Sequence, residues 1–185
     1  SMTETETLLK DLSTAFGPSG FEDPVRAIMR RKLTPLADSK ETDGIGSLIA
    51  RRNGLAETPK IMLSSHMDEV GLMVRYITDD GYLKFQTLGG WLDQALINQR
   101  WSIMTVGGLI RGITGLKSPH VMSADERDHP FKKESMFIDI GASSKEDAEQ
   151  RLGVKPGDPI APDSSFERIN DGDMSARLIG HRSYA

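Results

Sequence analysis

The sequence contains no cysteine among its 185 residues. This absence excludes disulfides, thiolate metal ligands and cysteine nucleophiles, and it fits a protein of a reducing compartment such as the cytoplasm. Long apolar runs are also missing, since no stretch approaches the roughly 20 apolar residues that a membrane-spanning helix needs. We therefore expect a cytoplasmic protein without a membrane partner.

An excess of basic residues is missing too. The formal net charge is −4 and the isoelectric point lies near 5.6, which argues against nucleic acid or an anionic membrane surface as a partner. The stretch Thr3–Thr7 alternates threonine with glutamate, so it lacks the basic start and the apolar core of a secretory signal. With 37% apolar and 27% charged residues, the composition suits a globular protein of one ordinary domain or two small ones.

The N-terminal part of the chain has the pattern of an α/β unit. Apolar residues recur at helical spacing over residues 7–16 and predict an amphipathic helix. Ser19 and Glu22 have the spacing of a capping box, which would open a second helix. Strands are predicted next at 47–52 and at 60–65, each following turn residues.

The pattern changes after Gly71 to short strands without long helices between them. Alternating segments separated by turn residues predict two β-hairpins, one over 72–88 and one over 102–114. A further strand is predicted at 136–140, and a helix capped by Ser143 or Ser144 follows. Short strands at this close spacing are typical of a small β-barrel or sandwich.

This change of pattern predicts three domains. Residues 1–71 would form the first part of an α/β domain, and residues 72–160 would form an inserted β-rich domain. Residues 161–185 would return to the first domain.

His66 and Asp68, which follow the strand predicted at 60–65, are the candidate site residues. Two positions apart on an extended backbone, their side chains point to the same side. Such a pair can hold a divalent metal ion, with Asp68 either bracing the imidazole or binding the metal itself. Spacing alone leaves open that His66 only makes a local hydrogen bond at a polar strand end.

Seven short motifs, in their order and spacing, resemble one family along essentially the whole chain. They are Ala15–Glu22, Asp43–Leu48, Ser65–Gly71, Gly89–Trp91, Ser118–His120, Phe137–Ala142 and Gly153–Asp158. The family is that of the dinuclear metallo-aminopeptidases, which includes glutamyl and deblocking aminopeptidases. The resemblance implies an α/β fold, with part of a metallopeptidase (phosphorylase/hydrolase-like) α/β domain and an inserted small β-barrel dimerisation domain.

The same resemblance implies an activity and a site. Family members remove N-terminal residues from peptide substrates with two divalent metal ions, commonly Zn or Co. His66 matches a metal ligand, and Asp68 matches the catalytic aspartate that braces its ring. Two metal ions a few ångströms apart would polarise the scissile carbonyl and activate water at neutral pH. Family members dimerise through the insert and often assemble into tetrahedral dodecamers, so a homo-oligomer is implied.

The sequence departs from the family pattern near its C-terminal end. Family members carry an Asp-Asp-Arg or Asp-Asn-Arg segment whose first aspartate bridges both metal ions, whereas the matching positions here hold Gly180, His181 and Arg182. The family's catalytic glutamate pair and its later aspartate and histidine ligands match no residues of this sequence. Without a general base, we expect the isolated 185-residue chain to be inactive.

Two hypotheses remain open. In the first, the chain is the N-terminal part of a metallo-aminopeptidase. In the second, it is a non-catalytic assembly or binding module with a vestigial metal site, which associates through the β-rich insert. Under either hypothesis, His181 is a ligand through one nitrogen or a surface histidine, and His120 is a structural part of the insert or a ligand. A serine hydrolase is disfavoured, because the sequence lacks a Gly-x-Ser-x-Gly motif.

Overall fold

The computed structural model describes residues 2–116, 122–124 and 129–167. Two helices and a two-stranded hairpin come first, and a closed six-stranded β-barrel follows. The α/β character and the small β-barrel that we predicted are therefore confirmed.

Helix α1 spans Glu4–Thr14 and begins three residues before the predicted start. Its N-cap is Thr3, whose hydroxyl accepts a hydrogen bond from the Glu6 amide at 3.2 Å. The Glu6 carboxylate in turn accepts from the Thr3 amide at 2.7 Å. This capping box supplies partners to two amides that have no intrahelical partner at the helix start, and this explains why the helix begins in the Thr/Glu stretch.

Helix α2 spans Asp23–Leu33, where a second helix was predicted. Its N-cap is Glu22, and the Glu22 side chain makes no capping hydrogen bond, so the predicted capping box between Ser19 and Glu22 is wrong. A proline in the first turn suits this start, because it has no N–H to leave unpaired. Arg26 Nε donates to the Gly46 carbonyl at 2.6 Å and so attaches α2 to the hairpin that follows.

That hairpin consists of β1, Ser39–Thr42, and β2, Leu48–Arg51, paired antiparallel. The second of these strands was predicted. The strand predicted at 60–65 is wrong, since these residues lie in irregular structure outside both sheets. Their apolar side chains at positions 61, 62 and 63 are 83%, 87% and 94% exposed. An apolar run forms a buried strand only where a neighbouring strand accepts its backbone hydrogen bonds, and no described strand pairs with this one.

Six further strands form the barrel. They are β3 Gly71–Ile77, β4 Leu83–Leu88, β5 Arg100–Thr105, β6 Gly108–Gly115, β7 Phe137–Asp139 and β8 Pro159–Pro162. Their order around the barrel is β3-β4-β7-β6-β5-β8, with every neighbouring pair antiparallel. The predicted hairpins are β3–β4 and β5–β6, and the strand predicted at 136–140 is β7. These predictions are confirmed.

Strand β8 closes the barrel and was not predicted. Its Ile160 pairs with Leu72 of β3 on one side and with Ile103 of β5 on the other. Prolines at both ends of β8 obscured the strand, because proline has no N–H for a ladder hydrogen bond and usually argues against a central strand.

The core lies inside the barrel. The large apolar side chains that are at most 2% exposed include Leu72, Val74, Leu83, Trp101, Ile103, Met136, Ile138 and Ile160. Helix α3, Lys145–Gln150, has the predicted N-cap Ser144, whose hydroxyl accepts from the Asp147 amide at 3.1 Å. Ala148 of α3 is buried against the same core.

The barrel strands begin at Gly71 and end at Pro162, which is close to the predicted insert at 72–160. The division of the chain into three domains stays a prediction. Within the described ranges, no helix combines the length and the apolar composition needed to cross a membrane.

Candidate functional site

The two candidate site residues contact each other just before β3. His66 Nδ1 lies 2.9 Å from Asp68 Oδ1 and 3.1 Å from the Asp68 carbonyl oxygen. Both of these atoms are acceptors, so we assign the imidazole proton to Nδ1, which leaves the lone pair on Nε2. The side chains are 54% and 36% exposed, so Nε2 belongs to a ring that solvent can reach. A carboxylate that holds a histidine in this way is a common arrangement behind metal-binding histidines.

Ser19 is a third member of this cluster, and the sequence did not reveal it. Its hydroxyl donates to Asp68 Oδ2, the oxygen that His66 leaves unused. This hydrogen bond from Ser19, followed by the contact with His66, holds the pKa of the Asp68 carboxyl below its usual range, against the opposing effect of burial. The carboxylate is therefore ionised at neutral pH and can accept both hydrogen bonds.

The loop that carries Ser19 is fixed to the segment that carries Asp68. The Glu69 amide donates to the Gly17 carbonyl at 2.9 Å, and the Gly17 amide donates to Glu69 Oε1 at 3.2 Å. Pro18 and Glu69 form a parallel bridge. Glu69 is only 4% exposed, so a buried carboxylate and one backbone hydrogen bond join two segments 52 positions apart.

The site is also joined to the barrel, through Gly71 at the start of β3. A Cβ atom at this position would lie 2.6 Å from the Ile160 carbonyl oxygen and 2.9 Å from Pro18 Cβ, so only glycine allows the close approach. Trp91 Nε1 donates to the Gly71 carbonyl at 3.0 Å. The Trp91 ring meets the buried Trp101 ring edge-on, with centroids 5.6 Å apart.

A small cavity lies between the end of α1 and the barrel. Its volume is about 60 Å³, and its lining includes Phe16, Glu69, Ser102 and Asp163. Ligand pockets are usually about 300–1,000 Å³, so this cavity has room for water and not for a peptide.

The other histidines do not join His66 in the described structure. His129 lies in a bend and is exposed. His120, Gly180, His181 and Arg182 lie outside the described residues. Within the described ranges, no group of three or more histidine, aspartate or glutamate side chains has an arrangement that could hold a metal ion.

Sequence reasoning found His66 and Asp68 but missed Ser19 and Glu69. Ser19 was assigned to a helix cap because its spacing from Glu22 fitted that role. No local signal could link it to Asp68, which is 49 positions away.

Comparison with known proteins agrees with the motifs. A family model described as M42 glutamyl aminopeptidase matches residues 46–183, and one described as AMPT matches residues 3–29. FrvX of Escherichia coli strain K12 is 41% identical over 176 residues, which is 95% of this chain and 49% of FrvX. The chain spans about half the length of the curated relatives it matches.

Solved structures agree as well. A TET aminopeptidase from a marine sediment archaeon of the Thaumarchaeota superposes with a TM-score of 0.87 at 45% identity, over 92% of this chain and 48% of that one. PhTET1-12s, described as a dodecamer, superposes with a TM-score of 0.76 at 33% identity, over 91% of this chain and 48% of that one. The family predicted from the motifs is confirmed, and the chain belongs to the M42 glutamyl aminopeptidase family.

Proposed function

We propose that this chain forms part of a metal-dependent aminopeptidase that removes N-terminal residues from peptide substrates. The observation that carries the proposal is the contact between His66 Nδ1 and Asp68 Oδ1, which leaves Nε2 as the nitrogen with a lone pair. Membership of the M42 family supports the reaction class. We also propose that the α/β part is a portion of a phosphorylase/hydrolase-like domain.

The residues at the site fit a divalent metal ion, Zn or Co, as one side of a centre with two ions. His66 would bind through Nε2, and Asp68, which matches the family's catalytic aspartate, would orient the ring through its contact with Nδ1. When bound, the metal ions would act as Lewis acids toward a peptide carbonyl and water. The hydrogen bond from Ser19 and the contact with His66 keep the pKa of Asp68 low. The ionised carboxylate can therefore hold the imidazole proton on Nδ1.

The isolated chain is proposed to be inactive. A two-metal centre needs several ligands and a general base, and the described residues contribute only His66 and its partner aspartate. The predictions on His120, Gly180, His181 and Arg182 concern residues outside the described ranges and stay predictions.

A homo-oligomer is part of the proposal, with the barrel as the dimerisation surface. Val106, Leu109 and Ile113 of the β5–β6 hairpin are 83%, 52% and 44% exposed. Exposed apolar side chains of this kind favour burial against another copy. They also support the second candidate function, a non-catalytic assembly module. The cytoplasmic location and the absence of nucleic-acid and membrane partners stay predictions.

The experiment is to measure metal binding and peptidase activity on the same preparation. Zn²⁺ and Co²⁺ would be titrated calorimetrically into the chain and into His66→Ala and His129→Ala, the last being a matched control on an exposed histidine in the barrel region. Aminoacyl-nitroanilides with Zn²⁺, Co²⁺ or Mn²⁺, and with a chelator, would test turnover. We expect binding that His66→Ala abolishes and His129→Ala retains, and no turnover.

Each contrary result has a definite meaning. Chelator-sensitive turnover by the chain would contradict the predicted inactivity. Equal metal binding by His66→Ala and the unmodified chain would remove His66 from the centre. No binding by the unmodified chain would favour the assembly module.

A further inference from the structure

We infer that Ser19 is a positioning residue of this site. Its hydroxyl fixes the Asp68 carboxylate, which in turn holds His66 with Nδ1 protonated and Nε2 open. The inference about the histidine stands on hydrogen-bond geometry, and only its consequence for metal binding rests on the proposed function.

The two oxygens of Asp68 are divided between two partners. Oδ1 lies 2.9 Å from His66 Nδ1, and Oδ2 accepts from the Ser19 hydroxyl. Rotation of a carboxylate about its terminal bond is only weakly restricted. A donor on Oδ2 therefore fixes the plane of the carboxylate and keeps Oδ1 directed at the imidazole.

Ser19 can do this because its backbone is held firmly. The reciprocal bonds between Gly17 and Glu69, at 2.9 and 3.2 Å, fix the loop immediately before it. Pro18 is fully buried between them. On the other side, the Gly20 amide donates to Glu22 Oε1 at 2.7 Å. The serine hydroxyl is thus presented to Asp68 by a fixed backbone.

Other roles for this hydroxyl do not fit. The N-cap of α2 is Glu22 and not Ser19. Ser19 itself is exposed, so it does not fill a cavity, and Ser19→Ala would remove a hydrogen bond without creating a void. Among the described contacts, Ser19→Ala removes the hydrogen bond from the Ser19 hydroxyl to Asp68.

The consequence falls on His66. Without Ser19, the Asp68 carboxylate can rotate, and the imidazole is free to place its proton on Nε2 or to leave its position. The Asp68 carbonyl oxygen, at 3.1 Å from Nδ1, still offers some restraint, so the effect should be partial. Outer partners of metal ligands usually contribute roughly 10–100-fold to affinity, and for Ser19 we expect about the lower end of that range.

The test reads the histidine directly, without metal. Long-range ¹H–¹⁵N NMR spectra of ¹⁵N-labelled chain would be recorded at mildly alkaline pH, because only an uncharged imidazole has two tautomers to distinguish. The chain has four histidines, and His66→Gln identifies the His66 signals. The variants are Ser19→Ala, Ser19→Thr, which keeps a hydroxyl, and Asp68→Asn.

Ser13→Ala is the matched control, because the Ser13 hydroxyl bonds within α1 to the Lys10 carbonyl at 3.3 Å. We expect the proton of His66 on Nδ1 in the unmodified chain, in Ser19→Thr and in Ser13→Ala. Ser19→Ala should shift the signals toward the Nε2–H form, and Asp68→Asn should shift them at least as far. Signals in Ser19→Ala that match those of the unmodified chain would overturn the inference, as would an Nε2–H form in the unmodified chain.

A Zn²⁺ titration of the same samples separates this inference from the proposed function. A tautomer shift in Ser19→Ala with a roughly tenfold weaker Zn²⁺ affinity would support both. A tautomer shift in a chain that binds no Zn²⁺ would support the role of Ser19 and contradict the metal centre. Zn²⁺ binding at His66 without any tautomer shift in Ser19→Ala would support the metal centre and contradict the role of Ser19.

Discussion

At the scale of single residues, Gly71 sets how closely the site segment approaches the barrel. Its Cα faces the Ile160 carbonyl of β8 and the ring of Pro18 in the loop before α2. Two separate segments therefore pack against a position that has no side chain. The Gly71 carbonyl also accepts a hydrogen bond from Trp91. A displacement of Gly71 would therefore move both the Trp91 side chain and the segment that carries Asp68.

We predict that Gly71→Ala destabilises the chain by roughly 1–3 kcal/mol, the usual cost of overpacking a buried position. The added Cβ would lie 2.6 Å from a backbone oxygen, which cannot move aside as a flexible side chain can. Urea denaturation followed by tryptophan fluorescence would measure the change. Gly90→Ala is the control, since a Cβ at Gly90 meets no atom within 4 Å, and an equal loss in both variants would contradict the argument.

At the scale of elements, the barrel seam between β4 and β7 is short. These strands pair only through Leu83 and Ile138 in the described structure. Lys84 reinforces the seam, because its ammonium donates to the carbonyls of Glu134 at 3.0 Å and Met136 at 2.8 Å. Partial burial lowers the pKa of Lys84, because it removes part of the charged ammonium from water.

Helix α3 is stabilised at its start by Asp147. The Asp147 carboxylate accepts hydrogen bonds from Arg151 and from the Ser143 amide, and these bonds, led by that from Arg151, hold the pKa of Asp147 well below its usual range. A lowered pKa in the folded state stabilises the fold above the ordinary aspartate pKa of about 3.9. That contribution is lost as the pH falls toward the folded-state value.

We therefore predict that Asp147→Asn lowers stability at neutral pH and that the difference from the unmodified chain shrinks below a pH of about 4. Urea denaturation at a series of pH values would measure this difference. Glu149→Gln removes the same charge from an exposed position of the same helix and serves as control. A difference for Asp147→Asn that does not change with pH would show that the carboxylate charge is not responsible.

At the scale of the whole molecule, the apolar segment before His66 has no partner in the described structure. Ile61, Met62 and Leu63 are each more than four-fifths exposed, and no described strand pairs with this segment. Exposed apolar segments of this kind tend to associate with other chains. Such pairing would act in addition to association through the barrel.

We predict that the chain assembles beyond a dimer and that Ile61→Lys combined with Leu63→Lys stops assembly at the dimer. The lysines should prevent pairing by charge repulsion without a loss of thermal stability, because both positions are exposed. Sedimentation equilibrium would measure the mass relative to the 20.4 kDa chain. Val106→Lys, at an 83% exposed position on the β5–β6 turn, should instead weaken the dimer. A monomer for the unmodified chain at all concentrations would contradict both parts.

The sequence by itself determined the features that depend on neighbours along the chain. Helical spacing predicted α1, turn residues predicted the two barrel hairpins, and the spacing of His66 and Asp68 predicted a contact that the structure shows. The motifs also identified the family. These signals are local, because amphipathic periodicity, turns and short motifs each involve a few consecutive residues.

Only the tertiary structure decided the features that depend on distant partners. It assigned Ser19 to Asp68 instead of a helix cap, and it placed β8 between β3 and β5 to close the barrel. It also left the apolar run at 60–65 unpaired. The physical reason is the same in each case: a hydroxyl, a proline-flanked strand or an apolar run acquires its role from the group it meets in space, and the chain alone does not specify that group.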